Sequence, residues 1–246
     1  MPELPEVETV RRGLSKRLID FKIERLEVCR ERAIASKGGS RVFSSQMKGL
    51  KVGNWQRRGK YLIASLHKDL KVKGLSKQKS INNGWWVVHL RMTGYFQWHE
   101  KQVIPCPHTR VRLWNSKGSE LRFVDTRSFG QMWWVPADEL PEKIISGLSK
   151  LGPEPFSQEF NPNYLKKSLE GRKRSIKSTL LDQSIVAGIG NIYADETLFA
   201  SGIVPYKKSN ELTNYEIKKL CENLEKVLLS SIKEGGTTFS DFRDLE

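Results

Sequence analysis

Apolar residues at the start of the chain recur at helical spacing. Leu4, Val7, Val10, Leu14 and Leu18 fall three or four apart, Glu8 is placed to pair with Arg12, and Lys16 and Arg17 stand near the negative end. This pattern predicts an amphipathic helix with one buried face. The rhythm then shortens, and residues 21–66 read as strands. Phe21, Ile23, Leu26 and Val28 approximately alternate, Gly38-Gly39 marks a turn, and Tyr61-Leu62-Ile63-Ala64 is a short buried run. Lys68 to Asn83 is polar and closes on Asn82-Asn83-Gly84, which predicts an exposed loop joining two strands. Trp85 to Phe96 gives a strand, a turn at Arg91-Met92-Thr93-Gly94 and another strand. A hairpin follows about Asn115-Ser116-Lys117-Gly118. The next strand ends in Asp125-Thr126-Arg127-Ser128-Phe129-Gly130, ahead of Met132-Trp133-Trp134-Val135.

After Pro136 the period is helical, with helices expected over Pro162 to Leu169, Ile176 to Leu181, Ile192 to Ala200 and Thr213 to Lys233. Short strands followed by helices predict an α+β chain. An N-terminal helix with an antiparallel β-sandwich or flattened barrel occupies 1–135, a Pro- and Gly-rich linker 136–155, and an α-helical domain 156–246.

Charge narrows the partners. Lys and Arg total 42 against 28 acids, a formal charge of +14, which points to a polyanion; nucleic acid comes first, and charge alone leaves a basic membrane-surface protein open. No apolar run reaches the ~18–20 residues that span a bilayer, and the N-terminus is acidic without a signal-peptide core, so a soluble cytoplasmic protein is expected. The three cysteines, Cys29, Cys106 and Cys221, are far apart. They form neither a disulfide framework nor a zinc site, no histidine pair has ligand spacing, and no metal or cofactor is expected on this chain.

Candidate chemistry lies first in Met1-Pro2-Glu3-Leu4-Pro5-Glu6-Val7-Glu8. Removal of Met1, which the small Pro2 permits, leaves a secondary amine beside an acid. An α-amino group titrates near ~7.7–8.0, so part of it is a free nucleophile at neutral pH. The same residues also make a helix start, and by themselves they favour that reading. Gln56-Arg57-Arg58-Gly59-Lys60 reads as a solvated basic face or as a phosphate-contacting edge. Met92 at a strand turn is either core filler or an exposed wedge of the kind that props open a base stack; Phe129 at the next turn has the same two readings. Gly188-Ile189-Gly190-Asn191, entering a helix and preceded by Lys173, Arg174 and Lys177, offers backbone N–H groups to an anion and makes a helix–two-turns–helix candidate.

Taken in order, Pro2 to Thr9, Lys60-Tyr61-Leu62, His89-Leu90-Arg91-Met92-Thr93-Gly94, Asp125 to Gly130, Leu151-Gly152-Pro153-Glu154-Pro155, Gly188 to Ala194 and Gly235-Gly236-Thr237-Thr238 resemble the formamidopyrimidine-DNA glycosylase branch of the Fpg/Nei base-excision repair family, over the whole chain. The resemblance implies a bifunctional DNA glycosylase and AP lyase, a monomer acting on double-stranded DNA with oxidised purines or abasic sites. Pro2 would attack C1′ and form a Schiff base, Glu3 would be general acid and base, Glu6 would order the site, and Lys60 would contact phosphate and assist β-elimination. Met92, Arg127 and Phe129 would fill the gap left by the extruded base, Arg127 facing the orphan cytosine. His108, Lys173, Lys177 and Asn191 would bind phosphates. The alternatives are an endonuclease VIII-like enzyme for oxidised pyrimidines and a non-catalytic DNA-binding relative; Leu4 and the Met92, Arg127, Phe129 set favour the purine branch. Lys68 to Asn83 reads as an insertion. The family pattern runs beyond Asp241-Phe242-Arg243-Asp244-Leu245-Glu246 into a lesion-capping loop and a four-cysteine zinc finger, so one structural zinc is expected only where that region is present. A truncated chain and a zincless relative both fit.

Overall fold

A computed structural model describes residues 1–70 and 79–236. Helix α1 (Leu4–Arg17) takes the predicted register, burying Leu4, Val7, Val10 and Leu14, each worth ~1.5–3 kcal/mol when withdrawn from water. Leu18 is its buried C-cap residue, and Glu8 pairs with both Arg12 and Arg11 at 2.9 Å.

Eight strands follow: β1 (Arg25–Val28), β2 (Lys51–Arg58), β3 (Tyr61–Leu70), β4 (Lys79–His89), β5 (Gly94–His99), β6 (Thr109–Trp114), β7 (Glu120–Asp125) and β8 (Gln131–Val135). They form two antiparallel four-stranded sheets, ordered β1-β6-β7-β5 and β2-β3-β4-β8. The main core fills the space between the sheets and under α1, from Val7 and Val10 to Trp86, Phe96 and Phe123.

Two expectations need correction. Helix α2 (Gly39–Met47) stands where strands were read, because Gly38 and Gly39, both at positive φ, start a helix whose Phe43 and Met47 enter the core. The predicted loop from Lys68 to Asn83 is strand in its described part: β3 runs on to Leu70, β4 starts at Lys79, and His67 pairs with Asn82 across the ladder. Its polar residues Lys68, Asp69, Ser80 and Asn82 lie in paired strand rather than in a break in the sheet; residues 71–78 lie outside the described residues.

After Val135 the described elements are helical. Short helices α3 (Pro141–Ile144) and α4 (Ser146–Ser149) set Ile145 and Leu148 against the outer face of β3, β4 and β8. Helices α5 (Pro162–Leu169), α6 (Ile176–Leu180), α7 (Asn191–Ser201) and α8 (Asn214–Lys233) then enclose a second core. Leu4 belongs to that second core, although Val7 and Val10 on the same helix belong to the first. One helix therefore nails the two halves together, with the chain's first residues at the seam.

Candidate active site

The beginning of the chain is strapped to the loop before α7. Leu4, whose N–H lacks a partner within α1, donates it to Gly188 O at 3.0 Å. Glu3 turns its carboxylate onto the start of α7, where Oε2 accepts the N–H of Gly190 at 2.8 Å and of Tyr193 at 3.3 Å and Oε1 accepts that of Ile192 at 3.1 Å. A helix N-terminus suits a negative charge. Glu6 bonds the strap from below, accepting the Glu3 N–H at 2.9 Å and the Tyr193 hydroxyl at 2.5 Å, and Ser231 on α8 meets that hydroxyl at 2.5 Å. Glycine is required for this approach: a Cβ at Gly190 would stand 2.3 Å from Glu3 Cδ, and Gly188, at φ +92, would put one 2.8 Å from Leu4 Cβ.

Glu3 is 2% exposed and Lys60 7%. Burial pushes the Glu3 carboxyl above its ordinary range, against the pull of Lys60 and of the backbone N–H groups. Burial pushes the Lys60 ammonium down, with Glu3 and Glu6 opposing. The result is a carboxyl readied to hold a proton beside an amine readied to lose one, the separation that acid and base chemistry at one site requires. Met1, Lys60, Tyr61, His89, Arg91, Gln183, Gly190 and Asn191 are among the residues lining an adjoining cleft of about 490 Å³.

Several of these were not singled out in the sequence. His89 is buried, its Nδ1 accepts the Arg91 N–H at 3.0 Å, and burial with Arg91 and Lys60 nearby drives it down to about 3. It is a neutral imidazole carrying its proton on Nε2. Gln183 holds the glycine loop from inside, donating to Ile189 O at 2.7 Å and accepting from Gly188 N at 2.9 Å. Nothing in their spacing marks these residues, because the fold joins segments remote in sequence.

Met92, 36% exposed, and Phe129, 37% exposed, line a second hollow with Met1, Arg32, Arg91 and Gln131. Of the two readings of Phe129 the buried one is excluded by this exposure. The Arg127 guanidinium lies 4.9 Å from the Phe129 ring and that of Arg32 5.3 Å. His108 is exposed beside the same tip, its carbonyl accepting the Asp125 N–H. Asn191 opens α7 on the cleft, Lys173 is exposed ahead of α6, and Lys177 pairs with Asp195 at 2.8 Å. The other basic cluster is neither solvated face nor phosphate edge at its arginines. Arg57 and Arg58 reach Glu154 at 2.7 and 3.2 Å, and Arg58 also donates to Gly152 O at 2.6 Å, so they clamp the linker and leave Lys60 alone facing the cleft. Among the described residues no cluster of His, Cys, Asp and Glu could hold a metal ion. Thr237 and Thr238 of the last motif, and Asp241 to Glu246, lie outside the described residues.

The model of the formamidopyrimidine-DNA glycosylase N-terminal domain matches residues 1–132, and that of the family's H2TH domain matches 151–243. The chain belongs to the formamidopyrimidine-DNA glycosylase family. It is 64% identical to the formamidopyrimidine-DNA glycosylase of Prochlorococcus marinus strain MIT 9313, across all of this chain and 84% of that protein. A Lactococcus lactis Fpg mutant in complex with Fapy-dG-containing DNA superposes with a TM-score of 0.87 at 31% identity, over 100% of this chain and 83% of that one. MutM in complex with DNA containing carbocyclic 8-oxo-G gives 0.86 at 31% identity, over 100% and 85%. The fold, with its N-terminal helix, paired antiparallel sheets and helical C-terminal half, is that of these structures, and the activity is that of a DNA glycosylase of base-excision repair.

Proposed function

We propose that this glycosylase acts on duplex DNA carrying oxidised purines or abasic sites, with the amine of Pro2 as nucleophile once Met1 is removed. The observation that carries the reading is a chain end fixed against a cleft by a buried, raised carboxyl. A frayed terminus would lose the benefit of orientation; this one is held through Glu3, Leu4 and Glu6. Pro2 attacks C1′ while the bond to the base breaks, and Glu3 supplies and removes protons as the Schiff base forms. Lys60 contacts phosphate and assists β-elimination, and δ-elimination then releases the sugar to leave a one-nucleoside gap. Met92, Arg127 and Phe129 enter the space of the extruded base, while His108, Lys173, Lys177 and Asn191 hold the backbone. That Fapy-dG and 8-oxo-G are the lesions in complexes of its structural neighbours supports purine damage as the substrate class. Work in the cytoplasm, on the nucleoid, belongs to the same reading, with DNA as the partner; among the described residues no helix is long and apolar enough to cross a membrane.

Lys60 is the rival nucleophile, since burial lowers its pKa beside the same cleft. Borohydride reduction decides between them. On a duplex with an abasic site it should trap a covalent adduct that mass spectrometry maps to Pro2, and retention of Met1 should abolish the adduct while phosphate binding survives. An adduct on Lys60, or one that persists with a blocked N-terminus, sinks the assignment.

A further inference from the structure

At the end of β7 lies an acid with no exposed surface that the chemistry above does not use. Asp125 gathers both turns of the sandwich tip through its carboxylate. Oδ1 accepts the Thr93 hydroxyl at 2.5 Å and the Arg127 N–H at 3.2 Å, and Oδ2 accepts the Gly130 N–H at 2.6 Å. Thr93 Oγ1 takes a share of the Arg127 N–H at 3.1 Å. Its backbone is equally engaged: Asp125 N–H donates to His108 O at 2.9 Å, and Asp125 O accepts Arg110 Nε at 2.7 Å. Three separate segments thus hang from one residue.

Those segments are under conformational strain. Arg91, just before Met92, has φ 56, and Ser128, between Arg127 and Phe129, has φ 55. Non-glycine residues stay in the left-handed region only where their surroundings over-determine it. Asp125 supplies that determination from beneath, and the Phe123 ring does so from the core side: a Cβ at Gly130 would stand 2.4 Å from Phe123 Cζ, and one at Gly94 would stand 2.8 Å from the same atom.

We infer that Asp125 is a positioning residue for base extrusion, holding Met92, Arg127 and Phe129 at a fixed height and spacing before the duplex arrives. This rests on the reading of those three side chains as the wedge. Asn at this position keeps the volume but offers an NH₂ group to neighbours that donate, so Asp125→Asn loosens the hub without a cavity. Thr93→Val removes one spoke from a half-buried site.

The test is single-turnover base release from a duplex with an intact oxidised purine, set against borohydride trapping on a single-stranded abasic oligonucleotide, which has no stack to open. Both variants should slow release from the duplex by ~10–100-fold, the order expected when a positioning group shifts by ~1 Å, and leave single-stranded trapping within about twofold. Adding Asp125→Asn to Phe129→Ala should slow release by much less than the product of the single effects. Melting temperatures accompany each measurement, and Thr93→Val answers alone if Asp125→Asn fails to fold. Unchanged duplex rates in a background where Phe129→Ala does slow release overturn the hub and spare the wedge. An unchanged rate in Phe129→Ala overturns the wedge, and the hub with it. Equal slowing of duplex release and single-stranded trapping, or full additivity, reduces Asp125 to a structural residue.

Discussion

At the N-terminus three backbone N–H groups from the start of α7 converge on one buried carboxylate, whereas at the sandwich tip Met92 and Phe129 keep their side chains part-exposed and it is the neighbouring chain, at Thr93, Arg127 and Gly130, that is tied down to Asp125. The difference follows from what each must meet. On the proposed reading Glu3 exchanges protons at one atom and needs its own polar atoms answered, since every buried donor or acceptor left unpaired costs ~1–3 kcal/mol and invites movement. On the same proposed reading a wedge must stay uncovered until the base stack opens, so rigidity would reach it only through the chain beneath.

The widest separation between the two regions is expected from Glu3→Gln. It should keep affinity for damaged DNA and slow base release by ~10²–10⁴-fold, the usual worth of proton transfer; single-turnover kinetics with a binding isotherm check this. Gly190→Ala comes next. Its Cβ would stand 2.3 Å from Glu3 Cδ, so base release should fall ~10²-fold through displacement of the acid, with ~1–3 kcal/mol of stability lost to overpacking. An unchanged rate would show that the strap tolerates slack.

At the tip the balance reverses. Phe129→Ala should slow release from duplex by about tenfold yet cost under ~1 kcal/mol of stability in denaturant titration, while Phe123→Ala, fully buried, should cost ~3–5 kcal/mol. The smallest effect concerns pH. Because burial raises Glu3 in the fold, the protonated form is the one the fold favours, and its contribution to stability is lost as pH rises from the ordinary carboxylate range through the raised pKa. Gln does not titrate. The melting temperature of Glu3→Gln relative to the parent should therefore climb across that window, by about 2–4 °C for each ~1 kcal/mol, and a gap independent of pH would contradict a raised Glu3.

The same contrast governs what was legible beforehand. Helix α1 and the sandwich strands carry their own periodicity, and Pro2, Glu3, Lys60 and Gly188 to Asn191 lie in local motifs, so sequence order reveals them. Helix α2 escaped because Gly38-Gly39 signals a turn equally well when it starts a helix. The polar hairpin arm at residues 79–83 escaped because solvated strand ends lose their apolar alternation. His89 and Tyr193 lie inside the family's motifs, yet their roles, and Ser231 altogether, were not legible, since their chemistry depends on partners from other segments. Arg57 and Arg58 misled for the same reason: a charge run shows its sign, whereas the acid that neutralises it, Glu154, is far along the chain.

Leu4 and Glu3 find their partners in residues that are 187 positions away in the case of Gly190. At ~5–20 residues per second of synthesis, the first residues emerge and wait about 10–40 s before the segment that will hold them exists. Through that interval α1 has only the sandwich to pack on, and its leading end is open to solvent. A processing peptidase can reach Met1 in that interval, and Met1 remains 46% exposed in the folded chain. Once α7 docks, Glu3 and Leu4 are out of solvent and the end is held in place. The site thus cannot be completed before the start of α7 exists, although its first residues are the first to be made.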